Sequence, residues 1–329
     1  MPLFTVFTPT FNRAHTLPRL YESLKRQTYR DFEWVIVDDG STDSTCELVK
    51  KWRDESEFLI RYFYQANKGK HVAFNRGVQE AQGEFFLPID SDDACMPHAL
   101  ERFKFYWDSL PSSKKEYFSG VCALCQDQDM KLIGNKFPFD VTDSNSLEIN
   151  YRYKVRGDKW GFQCTEVLRR YPFPEIDGVR FIPEGIVWNA IAKYYKIRFI
   201  NEILLNVYRC DAPDGSDQLT QYLKTYPIIY ARGCSFYYMS CLNENIDWFR
   251  YAPLEFIRAA VHYTRFFLHS GLKITEAIGK IRSTLGKLLC IVTIPLGGAL
   301  YASEKRNVNL IHKYALAIQT VKDWMAKFV

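Results

Sequence analysis

Short apolar runs alternate with amphipathic stretches through the first third of the chain. Leu3 to Thr8 reads as a buried strand, and Thr16 stands where it can cap a helix that has Pro18 in its first turn and Leu17, Leu20, Tyr21 and Leu24 on one face. Trp34 to Val37 predicts a second strand, followed by the polar turn Asp38-Asp39-Gly40-Ser41 and a helix from about Thr42 to Trp52. A third strand over Phe58 to Gln65 leads to a helix over His71 to Ala81, and a fourth over Glu84 to Ile89 runs into Asp90-Ser91-Asp92-Asp93. Strands alternating with helices of this length define βαβ units, and hence an α/β fold with a mostly parallel, Rossmann-like sheet flanked by helices. Ligands of such sheets bind beyond the carboxyl ends of the strands. Both acidic clusters fall there.

The pattern changes after about residue 110. Residues 111–150 are polar and turn-rich around one strand, Tyr117 to Leu124, and aromatic and basic residues crowd into Tyr151 to Trp160. Helical spacing returns over Glu184 to Tyr195, while Asp211 to Asp217 has loop chemistry throughout and suits a lid over a bound ligand. Beyond 220 the chain reads as helical, with Leu254, Ile257, Val261 and Leu268 on one face. The expected organisation is one α/β region over 1–220, divided at about 110, and a helical region over 221–329.

Charge sharpens this division. The net charge of +5 is too small to make the whole surface a nucleic-acid binder, but from residue 251 onward eleven Lys or Arg face four Asp or Glu. Leu288 to Ser303 carries no charge, includes Pro295, Gly297 and Gly298, and falls short of the roughly 20 residues that span a bilayer. With Lys287 before it and Lys305-Arg306 after it, this run suits either a segment lying against anionic lipid or a buried hairpin. Nine cysteines are scattered without a repeating spacing, and Cys122 and Cys125 read as two thiols along a strand. The N-terminus lacks the charged and long apolar regions of a secretory signal, so a cytoplasmic location is expected, with possible contact only at the inner membrane face.

The candidate chemistry lies in the turns. Carboxylates one residue apart in extended backbone point the same way and can share a hard divalent cation, Mn²⁺ or Mg²⁺, whose remaining positions take phosphate oxygens. Asp90 to Asp93 offers this arrangement. A carboxylate such as Asp39 suits the nucleoside end of a nucleotide, because it would repel phosphate, and Thr8 to Arg13 supplies hydroxyls and one cation. The glycine fingerprint of dinucleotide enzymes and the P-loop are both absent. Thr8 to Arg13 also has no glycine to cradle a triphosphate, which disfavours a nucleotidyltransferase; a non-catalytic binding module using the same nucleotide crevice is the other alternative.

Four ordered motifs, Thr8 to Arg13, Asp38 to Asp43, Asn67 to Gly77 with Gly69, Ala73 and Asn75, and Asp90 to Asp93, resemble those of the family 2 glycosyltransferases. These are inverting, nucleotide-sugar-dependent enzymes of the GT-A fold, and the resemblance covers about residues 1–110. It implies that Thr8, Pro9 and Asn12 line the base and ribose, that Asp39 bonds the base edge or ribose, and that Asp90 reaches the ribose hydroxyls. Asp92 would bind the metal, and Lys70 with His71 would touch the diphosphate or the sugar. The implied co-substrate is a nucleotide-diphosphate sugar, a UDP-sugar by preference, and the acceptor a glycan or lipid-linked hydroxyl, as in a surface-polysaccharide precursor. Inversion needs a base for that hydroxyl. The family's base is the second acid of a Glu-Asp pair opening a helix that contains a tryptophan. Here Glu184 takes that position before Trp188, Pro183 replaces the usual glutamate, and Asp158 is the rival. Trp160 and Trp188 could stack on a sugar or belong to the core.

Overall fold

The structure, a computed structural model, describes residues 1–208 and 227–325, with side chains described as far as residue 306 except at 227–229. The expected lid over Asp211 to Asp217 lies outside these residues. The chain divides into two compact units, Met1–Gln218 and Leu219–Val329.

The first unit opens with three β-α steps: β1 (Phe4–Thr10), α1 (Leu17–Lys25), β2 (Phe32–Asp38), α2 (Thr45–Glu55), β3 (Leu59–Tyr64) and α3 (Lys70–Glu80). They lead into β4 (Phe85–Pro88), β5 (Ala94–Cys95), α4 (Ala99–Asp108) and β6 (Phe118–Asp127). Next come β7 (Val141–Ser144), α5 (Ser146–Tyr151), β8 (Lys159–Cys164), α6 (Thr165–Arg170), α7 (Gly185–Ile191) and β9 (Lys196–Val207). Among the described residues the sheet has the order β3-β2-β1-β4-β8-β6-β9-β5, and β7 pairs with β9.

The sheet is parallel from β3 to β4, as the alternating pattern implies. Beyond β4 it becomes mixed: β8 runs antiparallel to both β4 and β6, while β6 and β9 are parallel. β2 is buried at every position, as befits a central strand with an unbroken apolar run. Its Trp34 is fully buried, so the indole N–H needs an internal acceptor, and it donates to Thr8 Oγ1 at 2.9 Å. Leu17, Leu20, Tyr21 and Leu24 of α1 are buried as predicted. Thr16 does not cap that helix; its hydroxyl turns back to Arg13 O. The second helix starts at Thr45 rather than Thr42, because Asn12 Oδ1 accepts from the backbone of Thr42 and Asp43 and holds them in the loop.

Trp160 belongs to the core, its indole donating to Pro88 O at 2.6 Å, and Trp188 packs edge-on against Phe74. Cys122 and Cys125 lie along β6 as free thiols, with burial pushing Cys122 up to about 12.

The second unit contains α8 (Pro227–Glu244), α9 (Pro253–His269), α10 (Ile274–Gly279) and α11 (Thr284–Met325) among its described residues. The buried face of α9 is Phe256, Ala259, Ala260, Tyr263, Phe266 and Phe267, whereas Leu254 is exposed. The stripe read from the aliphatic residues was therefore one step out of phase: the aromatic residues offer more area to bury and set the helix rotation. Pro295 and the two glycines make no hairpin, since α11 continues through them. Its segment Thr284–Arg306 is long and apolar enough to cross a membrane by length and composition, a longer run than the sixteen uncharged residues suggested.

Candidate active site

The site lies beyond the carboxyl ends of β1, β2 and β4. β2 ends in Asp38, which is fully buried and accepts from Ser41 N at 2.7 Å and from the Tyr62 hydroxyl at 2.6 Å. These bonds close the turn and leave Asp39 pointing at the next loop. Asp39 Oδ1 accepts from Gln65 Nε2 (2.8 Å) and Lys68 N (2.9 Å), and Oδ2 from Gly69 N (2.7 Å). A carboxylate offers roughly four lone-pair positions, so one remains for a ligand. Asp39 thus has a structural duty that sequence could not reveal: it fastens the entry to α3.

Gly69 makes that entry possible. Its φ of +99° is left-handed, and a Cβ there would lie 1.9 Å from Arg180 O. The backbone before α7 therefore passes directly over Gly69. Gly40, with φ +93°, packs similarly against Asn67.

Lys70 follows immediately and joins two distant motifs. Its Nζ lies 2.8 Å from Asp90 Oδ1 and 2.9 Å from Glu184 Oε1. Burial alone would lower the lysine, but the two carboxylates outweigh it and hold Lys70 above the ordinary lysine range. Glu184 opens α7, and about half of its side chain is exposed. Asp158 is exposed on the turn before β8 and acts electrostatically on Cys125 and Lys159.

Asp90, Asp92 and Asp93 each offer a carboxylate oxygen within 4.8 Å of the others, a grouping that can hold a metal ion. Burial, then the neighbouring charge of Asp90, raises Asp92, although Arg13 opposes this. Burial and the charges of Asp90 and Asp92 push Asp93 up to about 8. Carboxylates that resist simultaneous ionisation are what a divalent cation relieves, and hard oxygen ligands suit Mg²⁺ or Mn²⁺. The residues fit such an ion.

Other expected contacts are differently placed. Thr8 is turned into the core toward Trp34, so its hydroxyl lines no crevice. Pro9 is partly exposed at the end of β1. Asn12 has a left-handed φ of 53° and spends its side-chain oxygen on the Thr42–Asp43 backbone, while its own N–H donates to Ser41 Oγ at 2.8 Å. His71 is buried, neither ring nitrogen has a hydrogen-bond partner among the described residues, and burial lowers it despite the charges of Glu175 and Asp39. Sequence reasoning missed Arg19, which donates to Asp92 O at 2.7 Å, and Tyr208, whose N–H reaches Asp93 Oδ1 at 3.1 Å. Arg19 looks like an ordinary solvent-facing helix residue, and Tyr208 is more than a hundred positions from Asp93. Neither carries a local signal.

Acidic turns gathered beyond the carboxyl edge of a parallel sheet place the chain in the class of α/β proteins whose ligands bind at the strand ends. Within that class, residues 5–113 match the model of glycosyl transferase family 2. An uncharacterized glycosyltransferase of Rickettsia typhi is 33% identical over 234 residues, covering 70% of this chain and 71% of that protein. The chain belongs to this family and is a glycosyltransferase of the GT-A fold. Another uncharacterized glycosyltransferase, from Nostoc, is 39% identical over 98 residues, which is only 30% of its length and 30% of this chain. Among solved structures, TarS 1–349 of S. aureus, crystallised with UDP-GlcNAc, has the same fold at a TM-score of 0.59 and 19% identity, covering 93% of this chain and 92% of that one.

Proposed function

We propose that the protein is a metal-dependent, inverting glycosyltransferase that moves a sugar from a nucleotide-diphosphate donor, a UDP-sugar by preference, to a hydroxyl of a lipid-linked or surface-polysaccharide precursor. The observation that carries this reading is the double contact of Lys70, which brings the donor-motif carboxylate Asp90 and the helix-opening carboxylate Glu184 to one point.

In this reading Pro9, Asn12 and the remaining acceptor position of Asp39 frame the nucleoside, and Asp90 takes the ribose hydroxyls. Thr8 contributes by fixing Trp34 beneath them. Asp92, with Asp93 beside it, would hold Mn²⁺ or Mg²⁺; when bound, such an ion neutralises the departing diphosphate. Lys70 adds a second positive charge on the leaving-group side. Glu184 is the general base: about half exposed and aligned by Lys70, it accepts the acceptor's proton as the hydroxyl attacks opposite the diphosphate. Lys70 stays with Asp90 and keeps the base oriented toward the donor.

Acceptor access fits the second unit. Leu288, Ile291, Val292, Leu296 and Leu300 of α11 are 41–67% exposed, and basic residues flank the segment. Such a face suits peripheral contact with an anionic membrane, with the catalytic unit at its cytoplasmic side. The test is a panel of nucleotide sugars incubated with membrane extract and Mn²⁺, read as nucleoside diphosphate release. One donor should support release that chelation and Asp92→Asn abolish; release indifferent to both contradicts the reading.

A further inference from the structure

The acidic loop between β4 and β5 has little structure of its own to hold it. β5 is only two residues long, Asp90 is about half exposed, and three carboxylates converge within 4.8 Å. Mutual repulsion would splay such a loop unless something outside it fixes the backbone.

Two residues remote in sequence do so. Arg19 of α1 donates from Nη1 to the Asp92 main-chain oxygen at 2.7 Å. Its guanidinium also lies over the Tyr208 ring, 3.9 Å from the centroid. Tyr208 in turn donates its backbone N–H to Asp93 Oδ1 at 3.1 Å, immediately after β9 pairs with β5. Because Arg19 grips a carbonyl here, this bond leaves the carboxylate oxygens of Asp92 to a cation. A cavity of about 260 Å³ lies behind, lined by Arg19, Tyr208, Asn206 and Cys95.

We infer that Arg19 and Tyr208 form a clasp that presets the metal-binding loop: they are positioning residues for the cation, acting through the Asp92 and Asp93 backbone and side-chain geometry. The inference rests on the metal-dependent reading above. Outer residues that orient metal ligands typically change metal affinity by about 10–100-fold when removed.

The experiment is a titration of the full chain with Mn²⁺ alone, followed by electron paramagnetic resonance, beside thermal melting. Arg19→Met should weaken Mn²⁺ binding by about tenfold or more, Arg19→Lys should recover part of the loss, and Tyr208→Leu, which keeps the backbone N–H, should weaken binding in the same direction. In turnover, saturating Mn²⁺ should restore kcat while the Mn²⁺ requirement stays raised, a split that general destabilisation would not produce. Wild type that binds no Mn²⁺ overturns the metal site and the clasp together. Wild-type binding matched by Arg19→Met of undiminished melting temperature, or by Tyr208→Leu where the arginine variant fails to fold, overturns the clasp alone.

Discussion

Single residues set the chemistry by where the backbone forces them. Gly69 illustrates this: Gly69→Ala places a Cβ on Arg180 O and forces a left-handed backbone onto an alanine. It should cost about 1–3 kcal/mol and raise the donor KM, because the loop it distorts carries Lys70. Thermal melting and donor titration check both effects. Glu33 supplies a second case, buried completely with Arg61 Nη1 3.2 Å away and Thr5 and Gln82 donating to it. Arg61→Met leaves that carboxylate buried with one partner fewer and should destabilise by about 3 kcal/mol, measurable by urea unfolding. The four motifs were legible as residues, because their spacing is local. Their second duties were not: Asp39 fastens Lys68 and Gly69, Asn12 fastens Thr42 and Asp43, and Thr8 serves Trp34.

At the scale of elements, the boundary between what sequence tells and what it withholds falls near residue 110. β1, β2 and β3 pair with neighbours one β-α step away and β4 returns to the far side of β1 in the same parallel sense, so a run such as Trp34 to Val37 or the stripe Leu17, Leu20, Tyr21 and Leu24 marks the repeating unit. β8 and β9 pair across long separations, and the β6–β9 register shifts at several points, so no local periodicity marks their partners. α7 ends at Ile191 rather than continuing to Tyr195, since β9 begins at Lys196 and the chain must turn first. Leu20 joins α1 to the sheet while fully buried. Leu20→Ala should cost about 2–5 kcal/mol and, through Arg19 beside it, loosen the Asp92 loop; denaturant unfolding and Mn²⁺ titration read the two consequences.

For the molecule as a whole, the cationic excess and the exposed apolar face both belong to the second unit, whereas the acidic chemistry belongs to the first. Composition revealed the charge division, but the continuous helix through Pro295 and the aromatic face of α9 depend on packing that composition does not encode. Flotation with vesicles containing phosphatidylglycerol should carry the full chain upward, and replacing Leu288, Val292 and Leu296 together by serine should release it without changing its melting temperature. Binding that survives these changes would move the membrane contact elsewhere.

The claim on which the mechanism turns is that Glu184, drawn to the donor motif by Lys70, takes the acceptor's proton. Donor affinity and single-turnover transfer measured side by side for Glu184→Gln test it most directly. The account predicts affinity within about threefold of wild type and transfer slowed by about 10²-fold or more. Transfer at the wild-type rate would contradict it and return the base to Asp158 or another acid.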